Sequence, residues 1–374
     1  MSQLGELQKC MLEVEAASDF KGYWFRISDV LLISVCGLLC GLETVSDIHE
    51  WSKARPVRAF LTEQFGMKDV PCRSQFYNIL AYVDAEQFEK SFIRWMQYVL
   101  AGGVAGKTVA IDGKTVCSTD KLTKDGNALH IASAIVSELG LVIGSRECGT
   151  KMGEITAFRE LVALLDVAGA VVVADALHCR KKSAQAVVDA GADYLFVVKD
   201  NQPTLRENIE LYVQEEELEK AVTKEQNGGR IEKRTAYVSR DIDWLEGREE
   251  WAKLACIGAI HTQFEKDGHK SSNWHYYISS AALSAEDLLR HARLEWGVEA
   301  MHWLLDVHFD EDKTRFWDMD VQKSLNALRK IALNLAKQYK QMLGLKTPIS
   351  GILRRNLFDT NHLVAFLSCF ALSE

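Results

Sequence analysis

The sequence predicts an α/β protein: a mixed sheet with helices on its faces, preceded by a small all-helical domain and interrupted by a β-rich insertion. Three observations carry this. Apolar runs of strand length recur at 108–111, 130–137, 140–148, 170–174 and 194–198. Helix-length segments separate the last three, giving the order strand, strand, strand, helix, strand, helix, strand. Before residue 104 the apolar spacing is helical, and between 205 and 282 it changes to short alternating runs.

The chain has 374 residues, 48% of them apolar, enough for an enzymatic core plus a smaller domain. Its longest mostly apolar run, 30–42, is bounded by Asp29 and Glu43 and is too short to span a bilayer, so it reads as a buried helix. The mixed polar and acidic start does not resemble a signal peptide. Nine irregularly spaced cysteines suit a reducing cytosol. The expectation is a cytoplasmic protein without a membrane segment, with Cys36 and Cys40 as small core residues.

Helices are expected at 30–42, 45–51, 57–65, 74–83 and 85–100, punctuated by Ser46-Asp47, Pro56 and Pro71, with Ser74 and Asp84 as N-caps. The segment from Gln75, with Arg73 before it, reads either as a DNA-contacting helix or as core. A small-residue break from Ala101 to Gly106 divides the chain into a helical domain, 1–103, and a catalytic domain, 104–374.

Within the second domain, Glu138-Leu139-Gly140 is a hairpin turn, 154–167 an amphipathic helix, and 169–202 a βαβ unit with two buried parallel strands. Asp175 follows the first strand of that unit, at the end of an open sheet where chemistry is usually done; capping the next turn is its alternative role. Asp112 likewise ends the run 108–111, with Gly113 allowing a sharp exit. Two strand ends that each present a carboxylate invite a shared site for Mg²⁺, a hard cation that prefers oxygen ligands. The insertion, 205–282, is read as an acidic helix, 205–219, followed by short strands at 234–240, 254–262 and 275–279. Helical periodicity returns from 284 to about 342.

A formal charge of −8 argues weakly against nucleic acid, but its distribution is uneven. Residues 205–227 carry net −4 and residues 313–355 net +8, so a basic face is available. On the helix after 294, Trp296, Ala300, Trp303 and Val307 form an apolar stripe expected to dock on the sheet. Glu295, Glu299, His302 and Asp306 form the stripe beside it. Periodicity leaves Glu295, Glu299 and Asp306 equal candidates to join Asp112 and Asp175; a solvated acidic face is the alternative.

Several motifs in order, Ala110-Ile-Asp112-Gly-Lys-Thr115, Lys151-x-x-Glu154-Ile155, Ala174-Asp175-Ala-Leu-x-Cys179, Gly191-Ala-Asp-Tyr194, Lys199-x-Asn201-Gln202 and Trp296-x-x-Glu299-x-x-His302-Trp-x-Leu-Asp306, resemble the H-repeat-associated transposases, a group of bacterial insertion-sequence DDE transposases. The similarity covers most of the chain. It implies an RNase H-like fold whose insertion, 205–282, precedes the last catalytic helix. It also implies Glu299 as the third acid, Arg293 in a matching basic position, and Lys114, Lys151, Glu154, Lys199, Asn201 and Gln202 at the rim of the site. A homo-oligomer follows from the same resemblance, because joining two element ends needs two active sites.

The residues suit that chemistry independently. Asp112, Asp175 and Glu299 can hold two Mg²⁺ (or Mn²⁺) ions about 3.5–4 Å apart, and Lys114 and Arg180 to Lys182 can meet double-stranded DNA through its phosphates, a solvated basic turn being the equal alternative for 180–182. Against the family pattern, Cys117 replaces a basic residue, Glu295 a His, and Ala300 an Asn. Three functions remain open: an active transposase acting on insertion-sequence ends and target DNA, a catalytically drifted DNA-binding or regulatory relative, and a metal-dependent phosphohydrolase.

Overall fold

The apolar runs become the strands of a single nine-stranded sheet, in the order β3-β2-β1-β4-β5-β9-β8-β7-β6. The structure is a computed structural model and describes residues 2–15, 25–116, 119, 128–149, 153–227, 229–266, 268–313 and 318–371. Strands β1 (Thr108–Val116), β2 (Leu129–Val136) and β3 (Leu141–Glu147) form an antiparallel meander, and β4 (Val171–Ala174) and β5 (Asp193–Val198) continue parallel to β1. This mixed sheet, with helices on its faces, is the RNase H-like arrangement. All four residues of β4 and all eight of β2 are buried, which explains their continuous apolar composition.

The insertion does not stand apart from the sheet. It opens with α9 (Pro203–Glu215), shorter than the expected acidic helix, and continues as β6 (Glu219–Asn227), β7 (Arg230–Ser239), β8 (Cys256–Lys266) and β9 (His269–Ser279). Strand β9 pairs antiparallel with β5, so the insertion lengthens the catalytic sheet. The sequence reading missed β6 because EKAVTKEQN has no strand-like apolar pattern; nine paired positions with β7 hold it extended.

The N-terminal helices are α1 (Gln3–Leu12), α2 (Ile27–Leu39), α3 (Val45–Lys53), α4 (Arg55–Phe65), α5 (Arg73–Tyr82) and α6 (Ala85–Val99). Asp84 caps α6 by accepting from the backbone N–H groups of Glu86 and Gln87. Ser74 lies inside α5, whose cap is Cys72. Phe76, Ile79 and Leu80 of α5 are fully buried and belong to the core, while Arg73, Ser74 and Asn78 on the same helix are exposed. Helices α7 (Glu154–Leu164) and α8 (Lys181–Asp189) flank the sheet, and α10 (Ala285–Leu294) and α11 (Gly297–Phe309) lead to α12 (Met319–Met342), α13 (Ile349–Phe358) and α14 (Thr360–Ser368).

Helix α12 joins the two halves. It packs on α2, α5, α6 and β3, and one apolar cluster runs from Leu7 to Phe370. Asn334 of α12 acts as an extra strand residue for the sheet edge: its amide donates to the Val142 carbonyl at 2.7 Å and accepts from the Val142 N–H at 2.9 Å. That satisfies an exposed edge without inviting another chain. Arg329 and Lys330 of α12 are buried, Lys337 donates to the Gly140 carbonyl, and Lys323 pairs with Glu147. Of the basic excess of 313–355, Arg329 and Lys330 lie inside the molecule and Lys323 and Lys337 are engaged at the sheet edge, while Lys313, Lys346, Arg354 and Arg355 are exposed. Among the described residues no helix is long and apolar enough to cross a membrane.

Candidate active site

Register brings the first two acids together. Thr108 pairs with Val171 and Ala110 with Val173 in the parallel β1–β4 ladder, so two residues further on Asp112 is level with Asp175. Neighbouring strands lie about 4.8 Å apart and in-register residues share a face. Asp175 also caps the following 3-10 turn, Ala176–His178, accepting from the Leu177 N–H at 2.9 Å. The capping role and the site position coexist. Burial, then the charges of Asp175 and Glu154, push the Asp112 carboxyl up to about 6, despite the Gly113 N–H that favours its ionised form.

Both acids open onto a cavity of about 710 Å³. Glu295 and Glu299 line its other side together with Arg293 and Trp296. The β6–β7 hairpin supplies a wall that the sequence reading did not find: Glu225, Arg230, Glu232 and Arg234. Arg293 pairs with Glu225 at 2.8 Å, Arg234 pairs with Glu232, and Arg230 lies over the Phe264 ring at 4.2 Å. Lys199 reaches the same space and has no ion pair among the described residues. Four cationic and six acidic side chains line the cavity, a net −2 before any cation binds.

The apolar stripe expected to dock the last helix faces solvent instead. Trp296, Trp303 and Val307 are 63%, 59% and 48% exposed, and α11 buries Val298, Met301, Leu305 and Phe309. The cause is a break after Leu294: α11 starts anew at Gly297, whose absent Cβ lets it press against Ser137. The break also leaves Glu295 largely enclosed, where burial first and then Asp175 and Asp112 push its carboxyl up to about 7. No hydrogen-bond donor or ion pair among the described residues holds Glu295. Glu299, one turn on, is exposed at the cavity mouth.

Asp306 lies apart from this group, with Lys114. The Lys114 ammonium is 2.5 Å from Asp306, 2.8 Å from Glu311 and 3.3 Å from Asp312. These three carboxylates are the one set of three or more acid, His or Cys ligand atoms within 4.8 Å of one another among the described residues. A cation already sits among them, so they are not the natural place for a metal, and Lys114 is not free for a phosphate as expected.

The other expected phosphate contacts divide. Asn201 donates to the carbonyls of Ala176 and Cys179, and Gln202 to that of Cys179, so their amides hold the turn after Asp175 rather than point to DNA. Arg180 is exposed and donates to the Leu177 carbonyl, away from the cavity lining. Lys199 and Arg293 line the cavity. Lys151 and Cys117 lie outside the described residues. Glu154, expected at the rim, is buried at 4% exposure.

Comparison with known proteins places this geometry in a family. The Transposase DDE domain matches residues 106–335, and a DDE_Tnp_1-associated domain matches residues 14–96. The "H repeat-associated putative transposase YhhI" of Escherichia coli K12 is 29% identical over 384 residues, covering 98% of this chain and 100% of that one. The "Putative transposase YncI" of Escherichia coli O157:H7 is 30% identical over 331 residues, covering 85% and 84%. A piggyBac transposase synaptic complex with hairpin DNA superposes with a TM-score of 0.46 at 12% identity, over 99% of this chain and 79% of that one. With one domain match alone spanning well over half of its length, the chain belongs to the Transposase DDE domain family.

Proposed function

We propose that this protein cleaves DNA at the ends of its own insertion sequence and transfers the freed strand to target DNA, with Asp112, Asp175 and Glu299 as its metal-holding acids. The observation that carries the reading is the in-register pair Asp112 and Asp175, opening onto a cavity that α11 borders with Glu299. The donor set fits a divalent metal. Carboxylates crowded in a partly buried site, with Asp112 pushed up to about 6, are relieved by a hard cation bound to oxygen. Asp112, Asp175 and Glu299 would hold two Mg²⁺ or Mn²⁺ ions, which supply activation of the attacking hydroxyl or water and stabilisation of the leaving oxygen.

The chain's own groups supply the rest. Lys199 offers the phosphate backbone a charge-assisted hydrogen bond that orients the scissile strand, and Arg293, Arg230 and Arg234 would join it on exchanging Glu225 and Glu232 for phosphate. Trp296 at the mouth presents an exposed ring on which a base can stack. Joining two ends calls for two copies of the chain, a state that light scattering of the DNA-bound protein reads directly. The free cysteines among the described residues fit action in the cytoplasm.

Nicking of supercoiled DNA carrying candidate element ends, in Mg²⁺ or EDTA, tests the reading. Cleavage should need the metal and disappear in both Asp112→Asn and Glu299→Gln. Cleavage that persists in Asp112→Asn would overturn the assignment, and DNA binding without cleavage under any metal would replace it with a non-catalytic DNA-binding role.

A further inference from the structure

We infer that Glu154, a buried carboxylate at the start of α7, is a positioning residue that sets the relation between Asp112 and Asp175; the inference rests on the three-acid reading above. Its carboxylate meets three elements of the site at once. Its Oε2 is 2.6 Å from Nε2 of His130 on β2, and its Oε1 is 3.1 Å from Nε2 of His178, in the turn that Asp175 caps. Against β1 it packs so closely that a Cβ on Gly113, the residue after Asp112, would fall 2.4 Å from its carboxyl carbon. Only glycine leaves room there.

The protonation pattern follows from the partners. Burial alone would raise the Glu154 carboxyl, but the hydrogen bonds of His130 and His178 outweigh it and hold the group down at about 2. An ionised carboxylate only accepts, so each Nε2 carries a hydrogen and donates. Nδ1 of His130 meets the Thr115 hydroxyl at 2.9 Å, on the same strand as Asp112. Among the described residues Nδ1 of His178, although buried, has no partner, so Glu154 is the only polar anchor of that ring there. Phe158, one helical turn along α7, stacks on it at 4.4 Å. The backbone N–H of His178 in turn donates to the Asp175 carbonyl at 3.1 Å. One charge thus ties the strand carrying Asp112 to the turn carrying Asp175, from beneath and out of reach of substrate.

Groups that orient metal-holding side chains change metal affinity roughly 10–100-fold when altered. The test is calorimetric titration of the intact protein with Mn²⁺, beside thermal melts and the nicking assay. Glu154→Gln should melt cooperatively yet bind Mn²⁺ at least tenfold more weakly and lose cleavage in proportion, with DNA affinity in EDTA unchanged. His130→Leu should show the same loss, and His130→Gln, which keeps an N–H donor for Glu154, should recover it. A folded Glu154→Gln that binds Mn²⁺ within twofold of wild type, while Asp112→Asn does not, overturns the inference and spares the three-acid reading. Asp112→Asn binding as tightly as wild type overturns both. Should Glu154→Gln fail to fold, the His130 pair decides: unchanged affinity in His130→Leu refutes the positioning role.

Discussion

Glu295→Gln should stabilise the metal-free protein at pH 8 and change it far less at pH 5. Burial and the neighbouring Asp175 and Asp112 raise the Glu295 carboxyl from 4.5 to about 7. The folded state therefore keeps this proton at pH values where the unfolded chain has lost it, and stability falls as pH rises from 4.5 to 7 and is then flat. At about 1.4 kcal/mol per unit, the ionised side chain costs on the order of 3 kcal/mol above pH 7. Asp112, pushed up to about 6 by burial and by Asp175 and Glu154, contributes in the same direction, and the two costs overlap because the Glu295 shift includes the charge of Asp112. Unfolding entropy of about 2.1 cal/mol/K per residue converts ~3 kcal/mol into a Tm change of roughly 4 °C for a chain of this length. Melting curves in EDTA from pH 5 to 8 should therefore slope downward for wild type and be flatter for Glu295→Gln. Mg²⁺ at a hundredfold excess over its Kd should return about 2.7 kcal/mol to wild type, and less to the variant if Glu295 shares in holding it. Parallel pH curves, or a variant less stable than wild type at pH 8, would refute the reasoning.

Lys114→Met removes the ammonium that meets Asp306, Glu311 and Asp312, and taking one partner from a buried pair such as Lys114–Glu311 costs about 3–5 kcal/mol. The loss should shrink when Ca²⁺ is added, because the three carboxylates then form a vacant oxygen site; a melt unaffected by Ca²⁺ would count against that geometry. Trp303→Ala should change stability by no more than about 0.5 kcal/mol, whereas Met301→Ala, at the buried face of α11, should cost about 2–5 kcal/mol; chemical denaturation of both variants checks which stripe docks. Because the cavity lining carries net −2, DNA should bind more weakly in EDTA than in Ca²⁺, and the difference should diminish in Asp112→Asn; filter binding or fluorescence anisotropy at fixed ionic strength measures it.

The sheet was legible because its central strands are buried on both faces and so are written as unbroken apolar runs. The expected strands at 130–137, 140–148 and 194–198 fall within a residue or two of β2, β3 and β5. Strand β6 was not legible, since its side chains contribute little to any core and its extended form comes from pairing with β7. Asn201, Gln202 and Lys114 show the same limit for polar residues. Each reads as a free donor until its partners arrive: the Ala176 and Cys179 carbonyls for the first two, and the α11 end almost two hundred residues away for Lys114.

Where Glu295, Glu299 and Asp306 come to lie relative to Asp112 and Asp175 depends on a feature that periodicity does not encode. The helix carries two apolar stripes, and a continuous helix could bury either of them. The break at Glu295 and Trp296 resolves the choice by giving α11 its own start, with Val298, Met301 and Leu305 inward and both tryptophans outward. The same break turns Glu295 from a residue on one stripe into a carboxylate enclosed beside Asp112 and Asp175, while Lys114 draws Asp306 away. A chain with Glu at 295, where the family pattern has His, therefore places a fourth acid against the two strand acids. Its site should depend more steeply on divalent cation, and on pH near 7, than one with a neutral or cationic side chain there.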